Sequence, residues 1–356
     1  MVGVVYAIVS AVVALGILIV FHELGHFLVA KKTGVGVLTF SIGFGPKIFS
    51  KKIGETEYAV SAFPLGGYVK MVGEDPEQEV QEVDVQRSFA HQGLAKRTAI
   101  VAAGPVFNFL LAVIVFACIF MFFGMPVLTN QVGGVEPNSP ADRAGLKKGD
   151  RIFAIGSQTI ESWEDLSERI KGSEGRPLQF RLERDGRQLQ LNVQPVEREG
   201  RTIFGETTKY WVIGIASAVA VEKSNPLSAT WQAVYKTGEY SVLTLAALYK
   251  MITGDISPKN LGGPLLIAQL AGEQARQGVW NFLFFVSILS VNLGVLNLLP
   301  IPILDGGHVL FFFLEWLRGR PVALKHRERA QQIGVFILIL IMIYAFYNDI
   351  ARFFEG

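Results

Sequence analysis

Charge is scarce in this chain. Of 356 residues, 18% are Asp, Glu, Lys or Arg and half are hydrophobic, whereas about a quarter of an ordinary soluble domain is charged. A net charge of +2 gives no sign of the basic surface that binds nucleic acid. Cysteine is scarcer still. Cys118 stands alone in an apolar run, which excludes an intrachain disulfide and a cysteine-built metal site. Basic residues are missing ahead of the first apolar run, and no small-residue cleavage site interrupts that run before His22. It therefore reads as a retained membrane span rather than a signal peptide.

What is present is a set of apolar blocks, each near the length of about 20 residues that crosses a bilayer. Four spans are expected: 4–30, 98–123, a third starting near Phe282, and 334–347. The third reads FLFFVSILSVNLGVLNLLPIPILDGGHVLFFFLEWL; Pro300 and Pro302 should divide it into a helix, an extended piece and a second helix. Lys31, Lys32, Lys47, Lys51 and Lys52 follow the first span, and Lys96 and Arg97 precede the second. Arg318, Arg320, Lys325, Arg327 and Arg329 separate the third from the fourth. The excess of positive charge assigns these connections to the cytoplasm and the termini and long middle segment to the outside.

Between the first two spans, VLTFSIGFGPKIFSKKIGETEYAVSAFPLGGYVKM alternates apolar and polar residues with Gly and Pro punctuation, the pattern of short strands and hairpins. The acidic run 74–84 reads as a solvated loop without chemistry. From about Val127 to Val196 the composition becomes soluble-like, with a helix-forming SPADRAGL, a KKGDRI turn into a strand, a helix over 162–170 and a hairpin turning at Arg184-Asp185-Gly186. This pattern resembles a bacterial-type PDZ domain, present once; such domains bind peptides by adding a strand to a sheet edge. NPLSATWQAVYKTGEYSVLTLAALYKMITGD then reads as an amphipathic helix lying on the membrane surface. The expected architecture is a polytopic α-helical membrane protein with about four transmembrane helices, membrane-associated β-hairpins and one inserted α+β domain. Its expected parts are 1–125, 126–197, a linker with the surface helix over 198–280, and 281–356.

The first span ends in FHELGHF. On a helix His22 and His26 lie one turn apart on one face, the arrangement that lets two imidazoles converge on one zinc ion. Glu23 stands beside them as a general base toward an attacking water. Ionisable groups inside a span are costly and usually functional. A zinc hydrolase normally draws a third ligand from its own chain. Asp305, an acid in an apolar stretch that needs a cationic partner, is the candidate; a helix cap is its competing role. His308 is an alternative ligand or a polar residue beside the site. Asn292 and Asn297 either hydrogen-bond between helices or donate to a substrate carbonyl.

HELGH in one span and NLLPIPILDGG in a later one, with FSIGFGP, FPLGGYVKM, AAGPVFNFLLA and LGGPLLIAQLAG, resemble the site-2 protease family of intramembrane zinc metalloproteases, regulator-of-sigma-E type, over essentially the whole chain. The resemblance implies that His22, His26 and Asp305 bind Zn2+, that Glu23 activates water, and that Asn297 serves substrate or transition state. It also implies that Gly66, Gly67, Tyr68, Val69, Lys70 and Met71 pair with an unwound substrate helix. The implied setting is the bacterial cytoplasmic (inner) membrane. The implied substrates are transmembrane segments of proteins already shortened by another protease, such as anti-sigma factors or remnant signal peptides. This chain has one PDZ-like module where well-known members carry two. A transporter with His and Asp in its pathway is disfavoured because it needs no general base and no inverted repeat is visible. A tethered scaffold would need no His or Asp in its spans.

Overall fold

The computed structural model describes residues 2–74, 81–201 and 207–355; positions 75–80 of the acidic run lie outside them. The chain forms two compact units, Met1–Ile119 with Pro226–Gly356, and Phe120–Asn225.

In the first unit α1 (Val2–Thr33) and α2 (Leu94–Phe122) are followed, after the second unit, by α5 (Pro226–Thr253), α6 (Pro264–Gln277), α7 (Val279–Asn297), α8 (Asp305–Arg318) and α9 (Leu324–Glu355). Among the described residues four helices are long and apolar enough to cross a membrane: Gly3–Thr33, Leu94–Phe122, Val279–Asn297 and Leu324–Arg352. Helices suit such segments because every backbone polar group is satisfied internally. The last one starts earlier than its apolar run, since the polar stretch KHRERAQQ continues the same helix.

Lipid supplies no hydrophobic drive between helices, so close packing and hydrogen bonds hold them together. Gly25 of α1 lies so close to α2 that an added Cβ would strike the Ala103 carbonyl and come 3.0 Å from Phe107 Cβ. Ser290 Oγ of α7 donates to the Asn108 carbonyl of α2 at 2.7 Å. Thr244 Oγ1 of α5 donates to Asn292 Oδ1 of α7 at 2.7 Å, and Tyr240 stacks on Phe116, so α5 packs along α7 and α2. The buried carboxylate of Asp349 in α9 accepts from the backbone N–H groups of Gly263, Leu265 and Leu266 at 2.9–3.1 Å, satisfying the start of α6.

The proline-broken stretch behaves as its sequence dictates. α7 ends at Asn297 and α8 begins at Asp305. A Cβ on Gly306 would overlap the Leu298 and Leu299 carbonyls, and one on Gly307 the Ile301 carbonyl, so the connection folds back against the start of α8 only with glycine there.

The segment between α1 and α2 forms β1 (Val37–Ile53) and β2 (Thr56–Met71). Their register is folded: residues 39–42 meet 67–70 on one side and 57–60 on the other, while 47–53 close on 56–61. Residues 67–71 thus have a strand partner on one side only among the described residues, and form an edge.

The second unit holds β3 (Met125–Val135), α3 (Pro140–Arg143), β4 (Arg151–Ile155), β5 (Gln158–Thr159), α4 (Trp163–Lys171), β6 (Leu178–Arg184), β7 (Arg187–Val193), β8 (Val196–Arg201), β9 (Thr207–Val212) and β10 (Ile215–Glu222). One sheet runs in the order β10-β3-β4-β6-β7 with β5 beside β4, and β8 pairs β9 separately. Ile152, Ile155, Leu166, Phe180 and Leu182 form the core. Asp185 and Gly186 take positive φ in the β6–β7 turn, as a tight hairpin requires. Ser162 and Asp165 close a capping box on α4, and the Ser162 hydroxyl and backbone N–H hold the Asp165 carboxyl below its ordinary range. The unit continues to Asn225, because β10 pairs β3 from Ile215 to Glu222. Residues 198–225, expected in the linker, thus belong to this unit.

Candidate metal centre

The break between α7 and α8 and the close contact of α1 with α2 assemble the site. α1 carries His22 and His26, whose Nε2 atoms are 3.2 Å apart. The first residue of α8 completes the group: Asp305 Oδ2 lies 3.2 Å from His22 Nε2 and 3.6 Å from His26 Nε2. Asp305 does not cap its helix; Leu304 occupies that position. Its Oδ2 is buried with no hydrogen-bond partner among the described residues.

These distances carry information. Ligands about 2.0–2.1 Å from a tetrahedral zinc stand about 3.4 Å from one another. The three donors of this protein match that spacing; two imidazoles and one carboxylate are a common zinc set, and a buried carboxylate oxygen without a hydrogen-bond partner suits a cation. Of the described His, Cys, Asp and Glu residues, only this trio clusters so closely.

Residues 10–341 match the family described as Peptidase family M50. The chain belongs to that family, the site-2 proteases. It is 33% identical to the zinc metalloprotease RasP of Geobacillus kaustophilus, with 98% of each chain covered. It is 36% identical to a Rhizobium meliloti protein provisionally named a zinc metalloprotease, with 97% and 96% covered. A similarly named Neisseria meningitidis protein is 31% identical over 98% of this chain and 99% of its own. The trio is thus the candidate zinc site of a membrane metalloprotease.

The M50 site has an outer layer that residue types alone did not reveal. His26 Nδ1 lies 2.9 Å from the Ile100 carbonyl, which can only accept, so Nδ1 carries the proton and Nε2 presents its lone pair. His22 Nδ1 faces the Asn108 side-chain amide at 3.0 Å, through Nδ2, while the buried Oδ1 has no partner among the described residues. A half-turn of that amide exchanges the two ends, gives Oδ1 a donor and frees His22 Nε2 as a ligand. Gly104 completes the support: a Cβ there would overlap His26 Nε2 and lie 2.7 Å from His22 Cε1. Asn108 is the one carboxamide in residues 98–123, a signal of the same kind as Asn292 and Asn297.

A cavity of about 330 Å³ opens on the site, lined by His22, Glu23, His26, Asp305, His308 and residues of the β2 edge and neighbouring loop. Gly67 lies close to the general-base candidate; a Cβ on it would stand 2.9 Å from Glu23 Cγ and 2.9 Å from the Ser41 carbonyl. Tyr68, Val69 and Met71 line the cavity as well. Lys70 is exposed, and Gly66 packs under the Phe44 ring. Asn292 is engaged with Thr244, and Asn297 is the last residue of α7. Neither is among the residues lining the cavity. Glu74, which the sequence reading left without chemistry, lies in the wall and accepts from the Met71 N–H at 3.0 Å. Arg327 of α9, read only as a topology marker, also lines it.

Proposed function

We propose that this M50 protease cuts peptide bonds within transmembrane segments. Its substrates would be membrane proteins pre-shortened by another protease, anti-sigma factors or remnant signal peptides, in regulated intramembrane proteolysis. The observation that carries the reading is the meeting of His22 and His26, on a helix long and apolar enough to cross a membrane, with Asp305 at the start of α8, beside a cavity that borders a strand edge unpaired among the described residues. A hydrolase of soluble peptides has no need of that depth.

His22, His26 and Asp305 would hold the ion. Zinc, when bound, polarises the scissile carbonyl and acidifies water at the site. Glu23 takes the proton from the attacking water and returns it to the leaving amine. Gly67, lacking a side chain, leaves room for the Glu23 side chain beside the strand edge. A helical amide is shielded by its own hydrogen bonds, so the substrate must unwind, and lipid offers no replacement bonds. Residues 67–71 supply them by accepting the substrate as an added strand, with Gly66 giving room for Phe44 beneath. Asn297, at the end of α7, and Asn292, whose amide NH2 is left after Oδ1 accepts from Thr244, are assigned to substrate binding from outside the cavity wall, Asn297 toward the developing oxyanion.

The second unit has its own groove, about 520 Å³, between β10 at the sheet's edge and α4, lined by Trp163, Ile170, Trp211, Ile213 and Ile215. This supports a PDZ-type, peptide-binding module. Positive charge near the span ends supports placing it and both termini outside the cytoplasmic membrane, with the zinc site toward the cytoplasm.

The test is cleavage of a single-span model peptide by the purified protein in detergent, with the products sized by mass spectrometry. A cut inside the apolar stretch is expected. Cuts confined to the polar flanks would overturn the intramembrane assignment.

A further inference from the structure

The cavity wall contains three carboxylates (Glu23, Glu74, Asp305), three imidazoles (His22, His26, His308) and one guanidinium, Arg327. Arg327 sits in the first turn of α9, where a cation opposes the helix dipole. It has no ion pair among the described residues; nearby Glu315 is taken in bidentate fashion by Arg97, at 2.5 and 3.3 Å. Its guanidinium carbon lies 5.9 Å from the Phe311 ring centroid, and its Nε is buried with no hydrogen-bond partner. Neither helix stability nor a salt bridge explains this side chain.

A strand added to the edge formed by residues 67–71 bonds through alternate N–H and C=O groups; the intervening groups point away from the sheet. In bulk water those outward carbonyls would be solvated, but in a narrow membrane cavity they depend largely on the polar groups of its wall. Arginine carries five N–H donors and cannot be deprotonated in proteins. We infer that Arg327 is a substrate-positioning residue that donates to an outward-facing backbone carbonyl of the unwound transmembrane segment, on the side away from β2. The inference rests on the strand-addition reading above. It requires of the substrate only a backbone and no particular side chain, which suits a protease acting on varied apolar segments.

The experiment compares zinc-loaded wild type, Arg327→Ala and Arg327→Lys on a single-span peptide and on a set of its analogues. In the analogues one backbone amide at a time is replaced by an ester, which weakens that carbonyl as an acceptor. Losing a charge-assisted bond is worth about 10- to 100-fold, so Arg327→Ala should lose that much in kcat/KM and Arg327→Lys should recover part of it. Zinc content and affinity for a small hydroxamate should stay at wild-type levels, since neither needs the outward carbonyl. At one ester position wild type should be impaired while Arg327→Ala shows no further loss. Unchanged kcat/KM in Arg327→Ala, ester effects that add to the mutation at every position, or parallel loss of zinc or hydroxamate binding would each overturn the assignment. Activity surviving in Glu23→Gln would instead sink the protease mechanism itself, whatever Arg327 does.

Discussion

Glu23→Gln is expected to leave the protein folded and zinc-loaded while peptide cleavage falls by roughly 10²- to 10⁴-fold, the usual contribution of a positioned general base. The substitution is nearly isosteric, so the fit of this side chain against Gly67 is preserved. Glutamine cannot accept the proton of the attacking water. The candidate ligands His22, His26 and Asp305 are left untouched by the substitution. Single-turnover cleavage of a span peptide, read beside zinc content, separates the two properties. Full activity in this variant would remove Glu23 from the mechanism; loss of zinc along with activity would make it part of the metal site instead.

Gly104→Ala is expected to damage the site as severely as changing a ligand, although Gly104 binds nothing. The added methyl would fall on His26 Nε2 and within 2.7 Å of His22 Cε1. It would have to displace atoms that are fixed from behind by the Ile100 carbonyl and the Asn108 amide. Overpacking of this kind typically costs about 1–3 kcal/mol in a tight core. Disturbed ligand support costs about 10- to 100-fold in metal affinity or activity. Helix α2 itself should benefit, since alanine is the better helix former. The expected signature is therefore a protein that loses no more than about 2 kcal/mol of stability without zinc, because the helix gain offsets part of the overpacking, but whose zinc affinity drops by at least the lower end of that range. Wild-type zinc affinity in Gly104→Ala would show that α1 and α2 separate more easily than their contact at Gly25 implies.

Comparison with the sequence explains what could be read in advance. The four helices, the break between α7 and α8 and the β6–β7 turn follow from hydropathy, proline and the Asp185-Gly186 pair, all local properties. His22 and His26 were legible because one helical turn fixes their relation. Asp305 was legible because an unpaired acid in an apolar stretch has few explanations. Gly104 and Asn108 were not, because their meaning arises only where α2 crosses α1; glycine in a span has many uses. β10 was assigned to a linker because its partner, β3, lies some ninety residues earlier, beyond the reach of any local pattern. Arg327 served as a marker of topology in the sequence, and only the cavity gave it a second role.

The central claim is that two membrane helices and the start of a third element close one zinc site. It is tested most directly by measuring zinc stoichiometry and span-peptide cleavage on the same purified preparations of wild type and Asp305→Ala. The account predicts one zinc per chain and chelator-sensitive, zinc-restorable cleavage in wild type, and loss of both in Asp305→Ala. A full complement of zinc with continued cleavage in Asp305→Ala would contradict it.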